Sequence, residues 1–311
     1  MGEFGAIGRI TARLPQGAPV LVGPGDDAAM ISASDGRVVV STDLLIEGRH
    51  FRRDWSSGYD VGRKAAAQNL ADAAAMGAVP TALVVGLGLP ADLPVEWLEA
   101  LTDGLRDECA LVGASVAGGD ITRCPLVVMG VTVLGDLEGR APVLRSGARP
   151  GQVVAVSGLL GYSAAGLAML EKYGEDASGE VVEVHRRPRP PYAAGPEAAR
   201  LGATAMLDVS DGLVQDLGHI AAASGVGIVL DPELLRADDA VARAAAEAGA
   251  DPLDWVLAGG EDHALAAVFP SDICLTAGWN VAGRVVEGEG VQVAGRVAPS
   301  RGWDHFSPDM P

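Results

Sequence analysis

Lysine is almost missing from this chain. It occurs twice in 311 residues, as Lys64 and Lys172, and neither stands in a GxxxxGK[ST] loop, so a Walker-type phosphate cradle is excluded. No HRD…DFG series marks a protein kinase, and no GxSxG elbow marks a serine hydrolase. "GLGLP" (86–90) is too short for a dinucleotide fingerprint. The three cysteines, Cys109, Cys124 and Cys274, are odd in number and lack CxxC spacing, which argues against a disulfide framework and against a zinc site. Positive charge is short as well. The net charge of −18 argues against nucleic acid and anionic membranes, whose binding draws on counterion release from a basic surface. The opening "MGEFGAIGRI" has no basic segment followed by an apolar run. Two charge-free stretches, 73–91 and 150–170, are broken by glycines and turn residues, so they read as helix–strand and strand–helix rather than membrane spans. A soluble, cytoplasmic protein is expected.

What the chain does have is glycine (42 residues) and a 49% hydrophobic content, enough for a substantial core and, at this length, two domains. Strand and helix signals alternate. "RVVVSTDLL" (37–45) predicts a strand ending on a polar cluster, and "YDVGRKAAAQNLADAAAMG" (59–77) a helix closed by Gly77. Residues 81–89 and 126–135 read as strands around a helix over 95–113, with Trp97, Leu98, Leu101 and Leu105 along one side. The Gly-, Pro- and Arg-rich segment 139–152 is the expected junction between domains 1–140 and 150–311. Beyond it, 153–158 reads as a strand, 162–174 as a helix, and 185–195 as a proline-rich loop leading to a helix. Two blocks of alternating β and α elements suggest α/β or α+β domains.

Five short acidic stretches punctuate this pattern: "GPGDD" (23–27), "STD" (41–43), "NLADAAAMG" (69–77), "GGD" (118–120) and "DVSDG" (208–212). Carboxylates are hard ligands for Mg²⁺, which bridges readily to phosphate oxygens. An acidic protein can therefore hold phosphorylated ligands through cations. Each stretch has a plainer reading when taken alone. "GPGDD" and "GGD" are glycine turns, "STD" is a strand end or cap, and Ser210 or Asp211 could cap the helix that follows. Lys64, Gln68 and Asp72 share a helix face at i, i+4, i+8, which by itself reads as a solvated stripe. The ordered set carries more than its parts.

Taken in order, "GPGDDAAM", "STDLLIEGRHF", "KAAAQNLADAAAMGA", "GGDITR", "LRSGARPGQ", "LDVSDGLVQDLGH", "AGGEDHAL" and "GWDHF" resemble the thiamine-monophosphate kinase family, from Gly2 to Phe306. That family lies in the superfamily of aminoimidazole ribonucleotide synthetase and selenophosphate synthetase. The resemblance implies two α/β (α+β) domains, the N-terminal mixed sheet forming a barrel-like homodimer core, with ATP between the domains. It implies transfer of the ATP γ-phosphoryl group to thiamine monophosphate with several Mg²⁺ ions.

Residue by residue, it implies metal ligation by Asp27, Ser41, Thr42, Asp43, Asp72, Asp120, Asp208 and Asp211. Nucleotide contacts fall on Gly119, Asp120, Arg145 and Ser210, and the thiamine pocket on His50, Glu261 and Trp303. The acceptor is already an anionic phosphate oxygen, so in-line transfer needs no general base and none is assigned. Arg145 suits phosphate through paired hydrogen bonds, and Trp303 with Glu261 would favour a cationic thiazolium ring. Trp303 could equally anchor the tail, and His50 could pack on Phe51. His185, His219 and Cys109 read as structural. His263 departs from the family pattern, which has Tyr in "GGEDYEL". Two other functions stay open: a different ATP-dependent superfamily member, and a non-catalytic Mg-nucleotide-binding module. The first cysteine being Cys109, on a predicted helix, counts against a selenophosphate synthetase.

Overall fold

The computed structural model describes residues 3–24, 28–293 and 296–297. The chain divides into two compact units: the described residues up to Ala74 with Ala78–Arg140, and Ala75–Gly77 with the described residues from Ala141 onward.

The first unit comprises α1 (Glu3–Thr11), β1 (Val20–Val22), β2 (Met30–Ile31), β3 (Val39–Ile46), α2 (Gly58–Ala75), β4 (Val79–Leu89), α3 (Val95–Ala110), β5 (Ser115–Arg123) and β6 (Val128–Asp136). Its main sheet has the order β3-β6-β4-β5, antiparallel except for the β4–β5 pair. β3 and β5 are therefore the edges. Strand pleat sends alternate residues to opposite faces. On β3, Ser41 and Asp43 turn toward α2, whereas Val40 (65% exposed) and Leu44 (59%) lie on a face that no helix of this unit covers. The covered face packs small residues: Ala65, Ala66, Ala67, Leu70, Ala73 and Ala74 of α2 are buried completely.

The second unit holds β7 (Val153–Ser157), α4 (Tyr162–Tyr173), α5 (Glu180–Arg186), α6 (Ala194–Arg200), β8 (Ala205–Val209), α7 (Leu213–Ser224), β9 (Gly227–Leu230), α8 (Asp239–Ala248), α9 (Pro252–Ala258), β10 (Ala264–Phe269), β11 (Asn280–Val286), β12 (Gly290–Val293) and β13 (Arg296–Val297). The sheet order is β13-β12-β9-β11-β7-β10-β8, with only β9–β12 parallel. Here both faces are covered. Every residue of β10 is buried, and the strand feeds two cores in alternation. Ala264, Ala266 and Val268 join Leu217, Ile220 and Val256, while Leu265, Ala267 and Phe269 join Ala194, Ala198 and Trp279. A strand buried on both faces reads as a continuous apolar run.

Four expectations need correction. "STD" (41–43) is no strand end: β3 continues past it to Ile46, paired with β6 throughout. "GGD" is no turn: Gly118, Gly119 and Asp120 sit inside β5. Glycine is required there because a Cβ at Gly119 would stand 2.0 Å from the Val85 carbonyl oxygen of the adjacent strand. The loop expected from residue 185 begins at Arg187, since His185 and Arg186 complete α5. The Lys64–Gln68–Asp72 stripe is not solvated, as described next.

Candidate active site

In the first unit the site is built by a strand edge and a helix. The hydroxyl of Ser41 donates to Asp72 Oδ2 (2.7 Å), and Gln68 Nε2 donates to Asp43 Oδ2 (3.2 Å). Pleat aligns Ser41 with Asp43, and the i, i+4 spacing aligns Gln68 with Asp72. Lys64, one turn earlier, is 3% exposed and donates to the carbonyl of His50 (3.2 Å). His50 Nδ1 in turn accepts the Ile46 N–H (3.0 Å), which closes the turn after β3 and fixes the ring nitrogen as an acceptor. The stripe thus faces inward onto β3. Its polar ends meet the middle of β3 and the turn that follows it.

Thr42 departs from its expected place. Its hydroxyl lies on the opposite face, donating to the Val131 carbonyl (3.0 Å) and accepting from Thr132 Oγ1 (3.0 Å). The structure does not bring that hydroxyl to Ser41, Asp43 and Asp72. Asp120, exposed on β5, lies three inter-strand steps from β3, about 14 Å at the usual strand spacing. Asp27 and Trp303 fall outside the described residues. A surface hollow of about 400 Å³, lined by Glu47, Arg52, Arg53 and Leu126 among others, takes in none of these acids. Its charges are already paired, Arg53 with Glu47 and Arg52 with Asp54.

The second unit assembles its polar residues where β8 runs out and β10 begins. The β8–β10 ladder continues past the strands, with His263 N–H donating to the Val209 carbonyl (2.9 Å) and Glu261 N–H to the Ser210 carbonyl (2.8 Å). Close approach is possible because Gly260 has no side chain: a Cβ there would be 2.7 Å from the Ser210 oxygen. Asp208 and His263 are both buried and meet through Oδ2 and Nδ1 at 3.1 Å. Ser210 and Asp211 are half-buried in the turn before α7. Neither caps that helix. The capping runs the other way, because Asp216 Oδ2, inside α7, accepts the N–H groups of Asp211 and Gly212 (3.0 Å each). Arg145 is exposed, its backbone carbonyl accepting from Ser224 Oγ (3.2 Å).

Glu261 and His263 both have positive φ (60° and 51°), a sparsely populated conformation for residues with side chains. Between them Asp262, 3% exposed, accepts the N–H groups of Gly161 (2.5 Å) and Ser163 (2.8 Å) at the start of α4. Burial pushes the Asp262 carboxyl up to about 7, opposed by those two backbone bonds. Burial likewise pushes Asp216 up to about 7. His185, read as structural, is buried against Ser163 Oγ (2.9 Å) and lies 3.9 Å from Glu261. Sequence reasoning missed Asp216 and Asp262. The signal available was a carboxylate four residues after a glycine N-cap, and a second acid beside Glu261.

Both acidic groups present oxygen donors that suit a hard divalent cation, with His263 the one nitrogen base touching them among the contacts described. Residues 25–137 match the family described as AIR synthase related protein, N-terminal domain, and residues 149–295 match its C-terminal domain. A thiamine-monophosphate kinase of Mycobacterium tuberculosis is 54% identical over 289 residues, 93% of this chain and 86% of that protein. The solved structure described as AaThiL complexed with AMPPCP and TMP is 34% identical, with a TM-score of 0.83 over 98% of this chain and 97% of that one. A hydrogenase maturation protein, HypE, in complex with ATP shares the fold (TM-score 0.67, 86% of this chain, 85% of that one) at 17% identity.

Proposed function

The chain belongs to the thiamine-monophosphate kinase family, and on that premise we propose which of its residues hold metal, nucleotide and substrate. The enzyme phosphorylates thiamine monophosphate at the expense of ATP, giving thiamine diphosphate and ADP. The observation that carries this is the 54% identity across nearly the whole chain, joined to an acid-rich set of side chains in each unit.

Mg²⁺ fits the donor set of the first unit, in which Ser41, Asp43 and Asp72 offer only oxygen. We assign these, with Asp27, Asp208 and Asp211, to metal ligation. Bound Mg²⁺ would neutralise phosphate charge during transfer. Gly119, Asp120, Arg145 and Ser210 contact the nucleotide. Arg145 offers two parallel N–H donors to phosphate. Glu261, with His50 and Trp303, recognises the thiamine moiety, the carboxylate favouring its cationic ring. No residue need remove a proton, because the acceptor oxygen is already anionic. The protein's work is positioning and charge compensation in an in-line transfer.

The open sheet face supports a homodimer. Val40, Leu44 and Val84 form an apolar strip that is exposed among the described residues. A second copy packed face to face closes the strip. It also accounts for Asp120, since a barrel-like pair of sheets sets the β5 edge of one copy beside the β3 edge of the other. No helix among the described residues is long and apolar enough to cross a membrane, and a cytoplasmic location suits a kinase that consumes ATP.

An ADP-release assay comparing thiamine monophosphate, thiamine and formylglycinamidine ribonucleotide tests the assignment. Turnover is expected with thiamine monophosphate alone, and abolished by a chelator. Preference for either other compound would sink it.

A further inference from the structure

Two buried carboxylates have no part in the transfer itself: Asp216 accepts the N–H groups of the 208–212 turn, and Asp262, within the 260–263 turn, accepts those at the start of α4. We propose that they are positioning residues: Asp216 holds the 208–212 turn, and Asp262 holds the 260–263 turn, in their substrate-ready form before any ligand arrives. The inference rests on the kinase reading above for what those turns contact.

The geometry supports it from both sides. Asp216 reaches back from the first turn of α7 to the amides of Asp211 and Gly212. Those amides precede or begin the helix and have no partner within it, so the carboxylate satisfies two orphan donors. The turn is thereby fixed with Ser210 and Asp211 at its apex. Asp262 works across a greater distance in sequence, binding the amides at the start of α4, 101 and 99 residues away. With Asp262 drawn inward, its neighbours take positive φ and leave the chain in other directions. His263 turns to Asp208, and Glu261 stays about one-third exposed. Two residues in a strained conformation persist only where their surroundings over-determine them. The cross-links from Glu261 to Ser210 and from His263 to Val209 then join the two turns into one frame. Both oxygens of Asp262 and Oδ2 of Asp216 are engaged with backbone N–H groups. Burial of a carboxylate without a cationic partner is costly. A pair of such groups flanking one site indicates that holding these turns is worth that cost.

Asp216→Asn and Asp262→Asn keep side-chain shape while replacing one acceptor oxygen by a donor. Calorimetric titration with thiamine monophosphate and with AMPPCP reads their effects without turnover. Asp262→Asn should weaken thiamine monophosphate binding about tenfold or more and change AMPPCP binding less than about threefold, and Asp216→Asn should show the reverse. Equal losses for both ligands in both variants would mean general destabilisation and would overturn the proposal, as would no loss. Should a variant fail to fold, amide exchange in the wild-type protein decides instead. The amides of Asp211, Gly212, Glu261 and His263 should already be protected in the free enzyme, and a large gain on adding ligands would overturn pre-positioning. If the unmodified enzyme binds neither ligand, the kinase reading fails instead, and unliganded protection still reports on the frame.

Discussion

The two units solve one problem, holding acidic side chains against a sheet, by different means. In the first unit regular structure does the positioning: the pleat of β3 and the turn of α2 put Ser41, Asp43, Gln68 and Asp72 together, joined by side-chain to side-chain bonds. In the second unit irregular backbone does it, tied by buried carboxylates and by ladder bonds that outrun the strands. The covering of the sheets differs in parallel. The first sheet leaves one face bare at Val40 and Leu44, and the second is buried on both. The lesson is that side chains presented by regular elements can be altered one at a time without disturbing the fold, whereas those on bracketed turns cannot.

The largest effect should come from Asp43→Asn. It removes a charge from a half-buried position while keeping an acceptor for Gln68, so the fold should survive. A loss of about a hundredfold or more in kcat/KM is expected, equivalent to about 2.7 kcal/mol of transition-state stabilisation, with an unchanged melting temperature. More than about a tenth of the wild-type rate remaining would break the assignment of this carboxylate to the metal. The matching change Asp208→Asn should lower both activity and melting temperature, because it also disturbs the buried contact with His263. Equal behaviour of the two variants would erase the contrast between the units.

A smaller effect is expected from Leu44→Glu, on the bare face. The substitution places a charge where a second copy is proposed to pack, and costs the isolated unit little because Leu44 is already 59% exposed. Sedimentation should show a monomer where the wild type is a dimer. Activity should fall about tenfold with the loss of the neighbouring β5 edge. A variant that stays dimeric would show that the apolar strip is not the interface.

How much of this was legible beforehand follows the same divide. The strand over Val39–Ile46, the helix over Gly58–Ala75 and the i, i+4, i+8 spacing of Lys64, Gln68 and Asp72 could all be read from periodicity. Which way that stripe faced could not, because an alanine-rich helix offers little amphipathic contrast and the covered face is small-residue packing. The glycines of "GGD" suggested a turn because their reason, contact with the Val85 carbonyl, lies on a neighbouring strand. Thr42 shows what pleat does to a motif carried over residue by residue: its hydroxyl leaves β3 on the face opposite Ser41 and Asp43. The positions of Asp216 and Asp262 left a signal in the sequence, but their bonding partners did not. A carboxylate that bonds to backbone N–H groups leaves no trace in the identity of its partners, and those of Asp262 lie on an element about a hundred residues earlier.

The smallest effect concerns stability rather than rate, and it sharpens the contrast by isolating one bracket. The Asp262 carboxyl is held at about 7 chiefly by burial, with Glu261 raising it further and His263 and the two amides opposing. An unfolded aspartate titrates near its ordinary value of about 3.9. Between those limits the folded protein binds more protons than the unfolded one, so stability must fall as pH rises through the window and level off above about 7. Asp216 contributes in the same direction. Other groups also titrate, so the informative quantity is the difference in denaturant midpoint between wild type and Asp262→Asn, measured in metal-free buffer. Asparagine has no charge to lose, and its poorer match to the two amides costs the same at every pH. The wild type should therefore hold its greatest advantage at pH about 5 and lose part of it by pH about 8. A difference that stays constant across that range would mean that Asp262 is ionised throughout, and that the amides of Gly161 and Ser163 outweigh its burial.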